Sequence, residues 1–209
     1  MNCHLQRKVD LLIHQDWDKL RKTFNALRDK QKTNLLKSTP QYIAAWEVWQ
    51  YNFGNAGCLV INESLSREWR SWMGLGLYWH LPWKEQAYEF FSELDLAGIA
   101  WSVTSEPVKK HVDGKIDSES ENSQCKINYI VRCDDPNAKT FSYENLQQEE
   151  SNIYYPSIEN NAYLLNVEYP HSVESNGYRE IIQFKFNETF ETVATFLDDK
   201  GPIVFGNPR

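Results

Sequence analysis

Ala162-Tyr163-Leu164-Leu165-Asn166-Val167-Glu168-Tyr169-Pro170-His171-Ser172-Val173-Glu174 is the stretch that decides the fold. Its first six residues are a short apolar and aromatic run of strand length. Tyr169-Pro170 interrupts that run and delivers His171 to the start of the next extended segment. Working outward, the same texture recurs. Residues 99–104, 126–132, 139–143 and 179–186 are rich in Ile, Val, Tyr, Phe and Thr, and residues 192–197 make a further candidate strand. Asn, Asp, Pro, Ser and Gly separate them. Many short strands of this kind predict a barrel or sandwich.

The first 96 residues read differently. Trp17, Leu20, Phe24 and Leu27 recur at spacings of three and four among Lys19, Arg21, Lys22 and Arg28, which predicts an amphipathic helix; His14 is placed on it. Further helices are expected over residues 42–51 and 82–94, with a short strand at 57–62 between them. The expected class is therefore α+β, a single domain over residues 1–209. Residues 1–96 are mainly helical and pack on a β core over 97–197. Two polar segments, 114–124 and 144–161, are expected as loops, and Gly177 is placed in a tight turn at positive φ.

Composition narrows the function. The 209 residues contain 41% hydrophobic and 24% charged residues, ordinary for a folded chain, with a high 14% aromatic content that includes eight Trp. No apolar run approaches the roughly 20 residues of a spanning helix, and the N-terminus lacks a secretory pattern, so a cytoplasmic protein is expected. Cys3, Cys58, Cys125 and Cys133 form no CxxC pair and are expected as reduced thiols. The net charge is -7, with a balance of +5 in residues 1–40 and -12 in the remainder. An acidic body of this kind is not expected to bind nucleic acid.

Five histidines are present, at 4, 14, 80, 111 and 171. His111-Val112-Asp113 places an imidazole and a carboxylate on one face of an extended segment. His171 supplies a second imidazole from a distant strand. Two His and one carboxylate on one side of an Fe(II) ion leave positions open for co-substrate and oxygen. Arg179 opens the next strand, eight residues on, where a guanidinium can hold a carboxylate through paired hydrogen bonds.

The quoted stretch resembles the distal-histidine motif of the Fe(II)/2-oxoglutarate-dependent dioxygenases. The likeness is to the aspartyl/asparaginyl and prolyl hydroxylase-like branch of bacteria and phages. His111-Val112-Asp113 followed by Ile127-Asn128-Tyr129-Ile130-Val131 resembles that branch's HxD strand and the Asn-containing strand after it. The resemblance covers roughly residues 97–186. It implies a double-stranded β-helix, jelly-roll or cupin-like core, with His111, Asp113 and His171 as iron ligands. It implies Arg179 as partner of the far carboxylate of 2-oxoglutarate, with Asn128 as a further contact. Relatives often place the basic residue nine or ten positions after the histidine, and some add a Ser two residues beyond it, where this chain has Ile181. Tyr129, or a hydroxyl of Thr140 or Ser142, is expected in that role instead.

Hydroxylation of an amino-acid, peptidyl or small-molecule C–H bond, with release of succinate and carbon dioxide, is the expected activity. Trp101, Phe141, Tyr154 and Tyr155 are expected as cavity walls. Two alternatives stand beside it: a non-catalytic cupin-like binding module, and a cupin metalloenzyme that does not use oxygen.

Overall fold

A computed structural model describes residues 4–20, 22, 81–104, 107–113 and 123–207, with the side chains of 100–104 excepted. In chain order the elements are β1 (Gln6–Val9), β2 (Leu11–Ile13), α1 (Lys84–Phe90), β3 (Leu96–Thr104), β4 (Val108–His111) and β5 (Cys125–Cys133). They continue with β6 (Lys139–Ser142), β7 (Ile153–Pro156), β8 (Ala162–Asn166), β9 (His171–Glu174), β10 (Arg179–Phe186), α2 (Phe190–Lys200) and β11 (Ile203–Phe205).

Strand pairing defines the fold. One sheet runs β1-β8-β5-β10-β3 and a second runs β4-β9-β6-β7. The chain goes out through β3, β4, β5 and β6 and returns through β7, β8, β9 and β10. Each returning strand lies antiparallel to its outgoing mate: β3 with β10, β4 with β9, β5 with β8 and β6 with β7. The pairs β5·β10 and β6·β9 close the two sheets. A long hairpin rolled up in this way is the jelly roll, or double-stranded β-helix, and with its packed helices the class is α+β. Among the described residues no helix is long and apolar enough to cross a membrane.

Side-chain alternation sorts each strand of the larger sheet between two faces. Outward go Ile127, Tyr129, Leu164, Ile182, Phe184 and Phe186, all fully buried beneath the helices against Trp83, Phe91, Val193 and Phe205. The Phe91 ring meets Phe186 at 5.1 Å and Phe184 at 5.8 Å between centroids, within the range of favourable aromatic pairs. Inward go Ile130, Tyr163, Leu165 and Ile181, which pack with Tyr155 of the smaller sheet. The inner face also carries Lys126, Asn128, Arg179 and Gln183. Polar groups line the interior, and the apolar core lies outside the larger sheet.

Several expectations are corrected. Residues 192–197 are not a strand but part of α2. Phe190, Val193, Phe196 and Leu197 form one buried stripe at helical spacing, Thr189 caps the N-terminus by accepting from the Thr192 amide, and Gly201 ends the helix. That periodicity and cap outweigh the strand preference of Thr and Val. The 144–161 segment contains β7, which pairs along β6 from Lys139↔Pro156 to Ser142↔Ile153. The N-terminal region holds two strands. β1 extends the larger sheet beside β8, and β2 runs parallel to β11. His14 lies after β2, its amide donating to the Phe205 carbonyl at 2.8 Å, and precedes the helical turn that begins at Trp17. The residue 82–94 helix is present in shorter form as α1. The helix at 42–51, the strand at 57–62, the 114–122 part of the first loop, Phe24, Leu27 and His80 lie outside the described residues. Among the described residues positive φ occurs at Asn160, Gly201 and Gly206, not at Gly177.

Candidate metal centre

β4 and β9 pair in a register that sets His111 directly opposite His171. Their rings stand 4.4 Å apart between centroids. Each imidazole is turned by the same local device: His111 Nδ1 meets the Lys109 carbonyl at 2.8 Å and His171 Nδ1 meets the Tyr169 carbonyl at 3.1 Å. A ring whose Nδ1–H donates to the backbone presents Nε2 as its lone-pair nitrogen. Both Nε2 atoms face Asp113 Oδ1, at 3.3 Å from His111 and 3.6 Å from His171. β4 stops at His111, so Asp113 reaches this point from just beyond the strand rather than from within it.

One ligand atom from each of the three residues lies within 4.8 Å of the other two. Two neutral imidazole nitrogens and one carboxylate oxygen, converging from one side, fit a divalent transition metal and leave its other side open. At His171 the electrostatics agree. Burial drives the His171 pKa down to about 4, with Asp113 pulling the other way, so this ring is neutral near pH 7. For His111 the hydrogen bond to Asp113 dominates and raises the pKa against the effect of burial. At Asp113, burial favours the acid form. The hydrogen bond with His111, the charge of Lys126 and the charge of His171 together outweigh it and hold the carboxyl well below its ordinary range.

Asp113 Oδ2 is engaged separately, by the Lys126 ammonium on the inner face of β5. Lys126 was not among the residues expected at the site. Its signal was present, since it alternates in phase with Asn128 along β5.

Deeper in the roll, Arg179 is 3% exposed. Its Nε donates to Ser157 Oγ at 2.9 Å and its Nη2 to Thr140 Oγ1 at 3.2 Å. Among the described residues no carboxylate pairs with it. The register Ser142↔His171 and Thr140↔Val173 sets Thr140 two residues along β6 from the His171 level, about 7 Å at the strand rise. Asn128 lies on the same inner face, with Nδ2 donating to Tyr155 Oη at 2.8 Å and Oδ1 accepting from Gln183 Nε2 at 3.1 Å.

Tyr129 is not brought to this interior. Neighbours in a strand face opposite sides, so Asn128 and Tyr129 cannot share the cavity. The Tyr129 hydroxyl donates to Asn160 Oδ1 at 2.9 Å, and its ring stands 6.2 Å from that of Trp17 on the outer face. Thr140 makes the contact with Arg179, and Ser142 meets Gln6 Oε1 at 3.3 Å. Of the expected walls, Tyr155 faces inward and stacks on Tyr163 at 4.2 Å. Phe141 and Tyr154 pair with each other on the outer face, where Tyr154 is exposed. The Trp101 side chain lies outside the described set. Ser157, the first residue after β7, lies in the segment expected as loop, where nothing in the sequence marks it.

No family model matches the chain, and no curated protein matches it in sequence. Solved structures align with parts of the chain. An oxidoreductase of the 2OG-Fe(II) oxygenase family from Burkholderia pseudomallei aligns over 44% of this chain and 43% of its own, at 8% identity and a TM-score of 0.32. A Pseudomonas putida prolyl-4-hydroxylase aligns over 69% and 78%, at 13% identity and a TM-score of 0.32. A vicilin from Solanum melongena aligns over 50% and 27%, at 14% identity and a TM-score of 0.30.

Proposed function

We propose that this chain is an Fe(II)- and 2-oxoglutarate-dependent oxygenase that hydroxylates a C–H bond of an amino acid, a peptidyl side chain or a small molecule. The observation that carries the reading is the pairing of two features in one interior. Three ligand atoms converge at one end, and a buried guanidinium whose partners among the described residues are hydroxyls waits about two strand residues further along. A buried cation without an acidic partner is costly, and a ligand carboxylate is what relieves it.

His111, Asp113 and His171 would hold the iron. When bound, that centre would supply the activation of dioxygen that couples oxidation of 2-oxoglutarate to succinate and carbon dioxide with insertion of one oxygen atom into the substrate. The protein's share is positional. Arg179, with Thr140 and Ser157 fixing its plane, would bind the far carboxylate of 2-oxoglutarate through a bidentate, charge-assisted contact. A carboxylate held there would leave the rest of a short dicarboxylate to extend toward His171. Asn128, kept in place by Gln183 and Tyr155, would line the path between them. The stacked Tyr155 and Tyr163 would exclude water from that side.

Anaerobic addition of Fe(II) and then 2-oxoglutarate tests the reading. A visible metal-to-ligand charge-transfer band is expected in wild type and not in Asp113→Ala. A wild-type protein that develops no band, and forms no succinate in air, overturns it.

A further inference from the structure

We infer that Lys126 is a positioning residue that restricts Asp113 to one-oxygen coordination of the metal. The inference rests on the oxygenase reading and adds to it a residue that no motif marks.

Asp113 divides its two oxygens. Oδ1 faces both imidazoles, at 3.3 and 3.6 Å, while Oδ2 faces the Lys126 ammonium. Lys126 is held in place by its strand. It sits mid-sheet on β5, between Leu165 of β8 and Lys185 of β10, with its side chain only 13% exposed. A carboxylate left to itself can chelate a divalent ion through both oxygens. One whose second oxygen is bound to an ammonium presents only the first. The difference counts at the metal. Three single-atom protein ligands leave three positions of an octahedron, two for a chelating keto acid and one for oxygen. A chelating Asp113 would leave two, which the keto acid alone would fill, so oxygen could enter only by displacing a carboxylate oxygen. The cation also opposes the charge of the metal, so its presence is not explained by metal affinity alone. Its placement is explained by the geometry it imposes.

Co(II) alone, followed by Co(II) with 2-oxoglutarate, probes this without turnover. Wild type, Lys126→Met, Lys126→Gln and Lys126→Arg are titrated while the visible d–d bands of cobalt, which report coordination number, are followed. The Met and Gln variants are expected to bind Co(II) with altered bands. Their Co(II) forms are expected to bind the 2-oxoglutarate dianion more weakly because the site has lost one positive charge, by on the order of 10- to 100-fold, the scale on which loss of a ligand's supporting partner acts. Lys126→Arg, which keeps the charge and the donor, is expected to restore both. Wild-type bands and wild-type 2-oxoglutarate affinity in the Met and Gln variants would overturn the role of Lys126 while leaving the oxygenase reading standing. Loss of Co(II) binding in step with melting temperature, unrescued by Arg, would make the residue structural and also overturn it. A wild-type chain that binds no Co(II) removes both readings together.

Discussion

His111 and His171 are cross-strand partners, sixty residues apart in the chain and 4.4 Å apart between ring centroids. The β4·β9 register that joins them is the same register that builds the smaller sheet, so fold and site are specified together. A one-residue slip of β9 would turn His171 to the opposite face and leave His111 without its mate. Asp113 then needs only a short excursion past the end of β4 to complete the set. For that reason His111→Gln, Asp113→Asn and His171→Gln are each expected to reduce Fe(II) or Co(II) affinity by more than the roughly 10- to 100-fold that follows loss of a supporting hydrogen bond. Equilibrium titration against a competing chelator measures this. Independent, small losses at the three positions would mean that they do not share an ion.

Under the proposed function, Arg179 is expected to act in co-substrate binding and not in folding. Replacement by Met removes a buried cation whose described partners are the hydroxyls of Ser157 and Thr140, so stability is expected to hold or rise. Binding of 2-oxoglutarate to the metal-loaded protein is expected to weaken by about 2–5 kcal/mol, the cost of truncating one side of a buried charge pair. Metal affinity in the absence of 2-oxoglutarate is expected to change little. Thermal melts beside calorimetric titration of 2-oxoglutarate check the three statements at once. A fall in melting temperature that parallels the loss of binding would assign Arg179 to the fold.

Much of this arrangement is legible in the sequence because it depends on local periodicity. The β10 bounds, Arg179–Phe186, match the expected strand, and β5, β6 and β8 differ by a residue at most at either end. What the sequence hides are outcomes of competition. Thr192 and Val193 favour extended structure in isolation. The Thr189 cap and the buried stripe from Phe190 to Leu197 make them helical. β7 is hidden because its four residues, Ile153–Pro156, gain their strand identity only by pairing with β6. At the site, Asn128 and Tyr129 look equally able to reach a ligand until alternation along β5 assigns them to opposite faces. Lys126 looks like any surface lysine until the same alternation turns it inward.

The pH dependence of metal binding follows from the two imidazoles. Each must be neutral to bind, so protons compete with the metal. The His111 pKa lies above its ordinary value, mainly through its hydrogen bond to Asp113, while burial sets that of His171 at about 4. As pH falls, His111 protonates first and His171 well after it. The logarithm of affinity is therefore expected to drop by about one unit per pH unit once His111 protonates, at a pH above the ordinary imidazole range, and more steeply below pH 4. In the metal-free protein His171 contributes in the usual sense for a depressed imidazole. The unfolded chain takes up its proton from about pH 6.5 downward while the folded chain resists it, so this residue lowers stability as pH falls from 6.5 to 4. NMR titration of the two imidazoles is the direct check. A pair that titrates together near 6.5 would contradict the asymmetry of burial between them.

Gly206 gives a prediction about how the two ends of the described fold are tied. It follows β11 at φ 80°, donates its amide to Gln86 Oε1 at 2.7 Å, and stands against the backbone of His14 where β2 ends. A Cβ built at this position would lie 2.3 Å from the His14 carbonyl oxygen and 3.2 Å from its carbon. Backbone cannot swing aside as a side-chain end would, and β2 and β11 are held together by the ladder Leu11↔Ile203 to Ile13↔Phe205. Gly206→Ala is therefore expected to cost about 1–3 kcal/mol from the φ strain alone, with the clash in addition. At this chain length each kcal/mol lowers the melting temperature by about 2–4 °C. Gly201→Ala is the matched control: φ is 72° there, but nothing lies within 4 Å of the added carbon. The 206 variant is expected to melt below the 201 variant, both below wild type. Equal melting temperatures for the two would mean that the β2 and β11 backbones separate readily at His14.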